Sequence, residues 1–267
     1  MIASIKYVLQ ENIKNFYRTF SIAKYEFLSE MRDSKLGIFW NFANPVIQVF
    51  TFWFAFGYIF NRTDVDGIPF LMWLLAGMVA WLFMSPCITG GCKAIFNKST
   101  IITRMKFPVS ILPLSVVLKQ FFYMLCFFAI MVVVFAFSGI YPTWEWLGLI
   151  YYSIAAILFT TSLSLLTSVL TMLARDVHKF ISSIIRLLLY LTPVLWEITR
   201  LPEALQKVLM CNPMYYIVQG FRDCFFYHQG IGAYSWSMAW FWGFTLVFFL
   251  AGSFMMNKFR TKFIDMI

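Results

Sequence analysis

Residues 36–61 read LGIFWNFANPVIQVFTFWFAFGYIFN, and not one of them is Lys, Arg, Asp or Glu. A helix needs about 20 mostly apolar residues to cross the hydrocarbon core of a bilayer, so this stretch alone predicts a membrane span at 37–60. The next charge-free stretch, GIPFLMWLLAGMVAWLFMSPCITGGC at 67–92, predicts a second at 69–92. The same reading continues along the chain. Spans are expected at 109–137, which carries Lys119, at 147–173, at 179–196, which carries Arg186, and at 235–257. The expected fold class is therefore an all-α integral membrane protein with six transmembrane helices.

Composition agrees. Of 267 residues, 61% are hydrophobic and only 12% charged, and Phe occurs 32 times. A soluble fold of this size has no way to cover so much apolar surface, since about a quarter of a typical soluble domain is charged. The net charge of +9 raises nucleic acid as a partner, but the cations sit at the edges of apolar runs, a topology signal and not a binding patch. No nucleic-acid partner is expected. With the N-terminus inside, 15 of the 21 Lys and Arg residues fall on the cytosolic side and four (Arg62, Arg200, Lys207, Arg222) outside, with Lys119 and Arg186 within spans. The positive-inside rule then puts both termini in the cytosol.

One membrane domain over 1–267 is expected: a cytosolic or interfacial N-terminal part at 1–35, the six-span region at 36–258 and a cytosolic tail at 259–267. Residues 13–31 place Ile13, Phe16, Tyr17, Phe20, Phe27, Leu28 and Met31 at helical spacing, which predicts an amphipathic helix on the inner membrane surface. Residues 96–108 predict a short helix capped by Ser99 or Asn97, with Pro108 opening the next helix. Residues 197–233 are too polar in part to span. Leu201-Pro202-Glu203 and Asn212-Pro213 read as helix starts, so two short re-entrant helices on the outer side are expected, shielded by protein. The first span follows a polar stretch with no cleavable signal, so it is expected to stay in the membrane.

The missing motifs narrow the function. There is no G-x-x-x-x-G-K-[ST] loop for ATP, no H-E-x-x-H, no Cys/His metal cluster and no G-x-S-x-G. The two histidines, His178 and His228, are expected on opposite sides of the membrane. No span carries an acid, which disfavours proton- or sodium-coupled transport. Neither a metal nor a cofactor is expected on this chain. The five cysteines contain no CxxC pair and read as buried small side chains, with a Cys211–Cys224 disulfide as an alternative.

Several residues are candidates for a substrate path. Cations within spans face a protein interior or a water-filled path, so Lys119 and Arg186 are expected either to draw an anionic head group from the cytosol or to snorkel to the interface. Phe39, Trp40 and Phe42 in the first span, and Tyr190 and Trp196 in the fifth, offer faces for sugar rings, or else sit at the interface as anchors and against lipid. Asn41, Asn44 and Gln48 recur at spacings of three and four, on one helix face, as a helix contact or a pore lining.

The order of these parts resembles the permease subunit of ABC-2 type exporters for cell-surface polysaccharides and polyol phosphates. The resemblance rests on Leu36-Gly37-Ile38-Phe39-Trp40 through Pro45, Lys106-Phe107-Pro108, Arg175-Asp176-Val177, Thr192-Pro193-Val194, Asn212-Pro213-Met214 and Arg222. Within the family, residues 178–228 look most like the wall teichoic acid permeases, through Leu188–Trp196, Leu201-Pro202 and Asn212–Val218; O-antigen and capsule permeases share the outline.

The resemblance implies a homodimer in a bacterial plasma or inner membrane, with two copies of a separate cytosolic ABC ATPase that bind ATP and Mg. The N-terminal helix and the loop bearing Ser99, Thr100, Arg104 and Lys106 would meet the ATPases, with the Arg175, Asp176, His178 turn as a second coupling element. Spans one and five would move at the dimer interface. The cargo it implies is a glycopolymer linked to polyprenyl diphosphate, carried out of a lipid membrane. A membrane-embedded lipid-modifying enzyme and a secondary transporter or channel are the rival readings.

Overall fold

The structure is a computed structural model that describes residues 1–32, 37–104, 107–229, 231 and 235–260. Five helical stretches among them are long and apolar enough to cross a membrane: Phe39–Ile59, Phe70–Gly91, Ile111–Phe137, Trp144–Leu173 and Ser235–Phe259. Each falls within a few residues of an expected span. They are carried by α3 (Gly37–Phe52, continued by a π-helical turn at Trp53–Ile59), α4 (Phe70–Gly91), α6 (Ile111–Phe137), α7 (Gly148–Leu173, preceded by a 3-10 turn) and α11 (Ser235–Phe259).

The fifth expected span, 179–196, is shorter in the structure. Helix α8 runs Val177–Leu191, 15 residues, or about 22 Å at the helical rise. Proline explains the early stop. Pro193 disfavours helical backbone at the residue before it, and Thr192 adopts φ −74°, ψ 134°.

Helix α4 is the hub. Trp73, Leu74, Ala76, Met78, Trp81, Phe83 and Met84 are all buried, because α4 packs against α6, α7, α8 and the outer segment at once. A helix surrounded by protein has no need for a polar face, and α4 has none. Helix α6 is its most extensive partner, and α7, which also packs on it, lies against α11. Small residues permit these close approaches, as is usual where lipid removes the hydrophobic drive for helix pairing. A Cβ on Gly91 would stand 2.0 Å from Ser164 Oγ, and one on Gly252 would stand 2.8 Å from the Leu166 backbone nitrogen.

The N-terminal region holds two helices, where the sequence predicts one at 13–31. Helix α1 covers Ile2–Lys14 and α2 covers Phe16–Arg32. The break falls at Asn15, whose side chain turns back to the Glu11 carbonyl at 2.8 Å, the local competition typical of Asn. Helix α2 leans on α6 through Phe20 and Phe27 against Phe122. Its Phe16, Tyr17 and Leu28 stay exposed.

The loop after α4 forms a 3-10 turn at Phe96–Lys98 and helix α5 at Ser99–Arg104. Ser99 is the first residue of α5 and not its cap. Pro108 precedes α6 by three residues and does not open it. Between the first two spans, a two-strand hairpin pairs β1 (Asp64–Val65) with β2 (Ile68–Pro69). Its turn is Asp66-Gly67, both at positive φ, the dipeptide that such tight hairpins favour.

At the same end as the hairpin, whose Asp66 accepts from the Tyr227 hydroxyl at 2.9 Å, α9 (Glu203–Met210) and α10 (Pro213–Arg222) are the two short helices expected in 197–233. Asn212 caps α10, accepting from the Met214 N–H at 3.0 Å, with Pro213 in the first turn. Helix α10 is buried from Met214 to Val218 and again at Gly220–Arg222, whereas α9 buries nothing. Cys211 and Cys224 are both free thiols, so the disulfide alternative is not formed.

Candidate functional site

Three features of the fold carry chemistry: a polar cavity beside α2, a cluster of segments at the end where α1 meets α11, and a buried arginine knot between α10, α4 and the chain leaving α8.

The cavity, about 350 Å³, is lined by Glu30, Asn41, Gln48, Ser85, Thr89, Lys119 and Tyr123 among others. Two prolines inside helices, Pro45 of α3 and Pro86 of α4, also line it. A proline removes a rung of the helical hydrogen-bond ladder, and both sit where these helices border the void. Lys119 donates to Glu30 Oε1 at 2.8 Å. The Tyr123 hydroxyl donates to Glu30 Oε2 at 2.8 Å, and the Asn41 amide donates to that hydroxyl at 2.9 Å. Lys119 lies eight residues into α6, roughly 12 Å from its start, with Tyr123 one turn further along the same face.

Of the sequence-predicted path residues, the structure brings Gln48 and Lys119 into this cavity, with Phe42 beside it on the rings of Tyr123 and Phe127. Phe39 and Trp40 do not line it. They are exposed and touch each other, ring centroids 5.4 Å apart. Arg186, Tyr190 and Trp196 lie elsewhere, on α8 and just after it. Arg186 is exposed and bonds only within its own helix, to the Ser182 carbonyl and the Ser183 hydroxyl; among the described residues no carboxylate pairs with it. Tyr190 is exposed, and its carbonyl accepts from Trp196 Nε1 at 2.9 Å.

At the end where α1 meets the close of α11, the predicted coupling segments converge. The Arg175 guanidinium stands over the Phe96 ring at 5.5 Å, which joins the α7–α8 turn to the turn before Ser99 and Thr100. Lys98 of that turn forms an ion pair with Glu26 of α2. His178 Nδ1 lies 2.6 Å from the Arg175 carbonyl, and Lys179, hydrogen-bonded to Asp176 at 3.0 Å, holds that carboxyl below its ordinary range. Arg104 ends α5; Lys106 lies outside the described residues.

The third feature was not expected. Arg222 counts in the sequence as a cation of an outer loop, yet it is 1% exposed. Its guanidinium donates to the carbonyls of Pro193 and Val194, each at 2.6 Å, and to that of Trp73 at 3.4 Å. It also lies flat on the Trp73 ring, 3.4 Å from the centroid. Arg62 takes the next carbonyl, that of Leu195, at 3.2 Å. The chain leaving α8 is thus held by two arginines, and its Thr192 hydroxyl accepts from Asn212, the cap of α10, at 2.8 Å. A guanidinium suits this task because its planar fork serves several carbonyls at once. The available sequence signal was an arginine inside an aromatic helix with no acid one turn away to pair it.

With this geometry in hand, comparison with known proteins is decisive at the family level. The ABC-2 type transporter family profile matches residues 17–226. The chain belongs to the ABC-2 type transporter family. Curated proteins similar to it include two O-antigen export system permease proteins RfbA of Klebsiella pneumoniae, 27% and 26% identical over 88% of this chain and 89% of theirs. A third, of the same name, from Myxococcus xanthus is 26% identical over 78% of this chain and 80% of its own. Family and apolar helices together make this ABC-2 protein a multi-pass protein of the cell's inner membrane.

Proposed function

We propose that this chain is the transmembrane permease of an ABC exporter that moves a lipid-linked cell-surface polysaccharide from the cytosolic to the outer side of the membrane. The observation that carries the reading is the family match over most of the chain, together with relatives named as O-antigen export permeases along nearly their full length. Those relatives favour an O-antigen-type glycan. The likeness of residues 178–228 to wall teichoic acid permeases favours a polyol phosphate polymer instead. A polyprenyl diphosphate carrier suits both, with its anionic head at the Lys119 cavity and at the exposed Arg186, and aromatic faces along the path.

Six crossings with both termini in the cytosol fit this role, and two contacts support them. Ser4 of α1 accepts from Asn257 near the end of α11 at 3.0 Å, and Arg260 stands over the Tyr7 ring at 4.4 Å. The start of the chain and the end of its last span therefore share one membrane side. That favours an even number of crossings, with α8 and the residues that follow it as the further span, fifth in chain order. The exposed apolar faces of α3 (Trp40, Ile47, Phe50, Phe54) and α8 (Phe180, Leu187, Tyr190) suit a second copy. The segments joined by Arg175, Phe96, Lys98 and Glu26 suit a cytosolic ATPase, which supplies ATP, Mg and the energy. Helices α9 and α10 then sit over the outer mouth.

Disrupting the gene tests the assignment. Loss of surface polymer with accumulation of its lipid-linked form inside the cell is expected, and hexoses or polyol phosphate in that material decides between the two cargoes. Unchanged surface polymer contradicts the reading.

A further inference from the structure

The cavity beside α2 holds a cation and an acid of unequal standing. Lys119 belongs to the cavity wall on α6, with its side chain 16% exposed. Glu30 is 42% exposed and reaches in from the rim on a separate helix. Around the acid stand an ammonium and a phenol, the phenol held in turn by the Asn41 amide. Ser85 and Thr89 bring hydroxyls to the same void. Take Glu30 away and what remains is a set of donors with one net positive charge, aimed into about 350 Å³. Such a set fits a phosphate-type oxyanion, whose bonds to charged donors are short and strong.

We propose that Glu30 is a built-in competitor for a diphosphate head-group site formed by Lys119, Tyr123 and Asn41. In the empty permease the carboxylate occupies the donors; a head group of higher charge exchanges with it and releases the end of α2 from α6. The inference rests on the export reading given above and assigns its head-group subsite. It also gives the exchange a consequence. One helical turn before Glu30, the same α2 carries Glu26, paired to Lys98 of the turn that leads into α5. Occupancy of the cavity is thereby felt by the segment proposed to meet the ATPase.

The test uses the permease with its ATPase in lipid nanodiscs and measures binding of polyprenyl diphosphate, with free pyrophosphate and the uncharged polyprenol as separate probes. Glu30→Gln keeps the shape and removes the competing charge; tighter diphosphate binding, on the order of five-fold, is expected. Lys119→Gln should weaken binding by a similar factor, and in the double variant Glu30→Gln should bring no gain. A response to free pyrophosphate as well as lipid diphosphate places recognition in the head group alone; a response to the lipid only shows that the chain contributes. Both support the subsite. Equal or weaker binding by Glu30→Gln overturns it, as does binding of polyprenol with the same variant dependence. Hydrogen exchange on the unmodified complex provides a mutation-free check: added polyprenyl diphosphate should speed exchange over residues 22–32, and unchanged exchange overturns the proposal. ATP-dependent export by the unmodified complex, measured alongside, separates failure of this subsite from failure of the export reading.

Discussion

Replacing Arg222 by Met should destabilise the protein by about 3 kcal/mol. The side chain keeps an unbranched stem but is shorter and loses the guanidinium with its three hydrogen bonds. The carbonyls of Pro193 and Val194, each 2.6 Å from the guanidinium, are left buried and unpaired, at about 1–3 kcal/mol apiece. The stacking on Trp73 at 3.4 Å adds up to about 2 kcal/mol in a desolvated site. Against this stands relief of the desolvation cost of a buried cation that, among the described residues, has no carboxylate pair, several kcal/mol. Gly77 provides a second perturbation of the same contact. A Cβ there would meet Arg222 Nη2 at 2.6 Å, closer than non-bonded atoms allow, so Gly77→Ala should cost about 1–3 kcal/mol by overpacking. The two effects share one cause and must not add. In the Arg222→Met background Gly77→Ala should cost next to nothing, since the methionine can move aside. Unfolding in detergent micelles by titrated SDS, followed by tryptophan fluorescence, measures all four proteins of the cycle. Equal cost of Gly77→Ala in both backgrounds would refute the arginine knot as described.

Other consequences are as direct. Arg186→Leu should lower export of lipid-linked polymer several-fold and leave ATPase binding intact, because the guanidinium is exposed and bonded only within its own helix; normal export leaves Arg186 a snorkelling residue. Charge reversal at Arg104 and Lys106 together should weaken copurification of the ATPase while thermal stability of the permease is kept. Gly252→Ala should cost about 1–3 kcal/mol, and no partner substitution should rescue it, because the obstructing atom is the Leu166 backbone nitrogen.

Much of the fold is legible in the sequence, for a physical reason. Hydrocarbon tolerates few charges, so stretches with at most one charge mark five spans to within a few residues. The short helices are legible where capping chemistry is strong, as at Asn212-Pro213. Where two signals compete the reading fails: residues 179–196 stay apolar past Leu191, but Pro193 ends the helix first. Helix α1 is mildly apolar and lies against α11 instead of spanning, so hydropathy passes over it. The Asp66-Gly67 dipeptide is a hairpin signal, masked by the two dominant spans on either side of it.

The candidate site is less legible, because its partners come from different helices. Lys119 stands out as a charge in a span. Its partner Glu30 does not, since it sits among the polar residues of an amphipathic helix, where acids are ordinary. Arg222 hides for the opposite reason. Near Asp223 and Gln219 it passes for a loop cation, and only the packing of α10 against α4 and the chain leaving α8 reveals that backbone carbonyls, not water, satisfy it. Ion-pair and carbonyl partners far apart in sequence leave no periodic trace, whereas span boundaries do.

The central claim is that this chain provides a lipid-facing pathway whose motion is driven by a separate ATPase. Purified permease and ATPase reconstituted in vesicles, with fluorescent polyprenyl diphosphate-linked glycan on the cytosolic face, measure this most directly. Glycan should become accessible to an enzyme on the opposite face only with ATP and an ATPase able to hydrolyse it. Appearance there at the same rate with a hydrolysis-dead ATPase, or with the permease alone, contradicts the account.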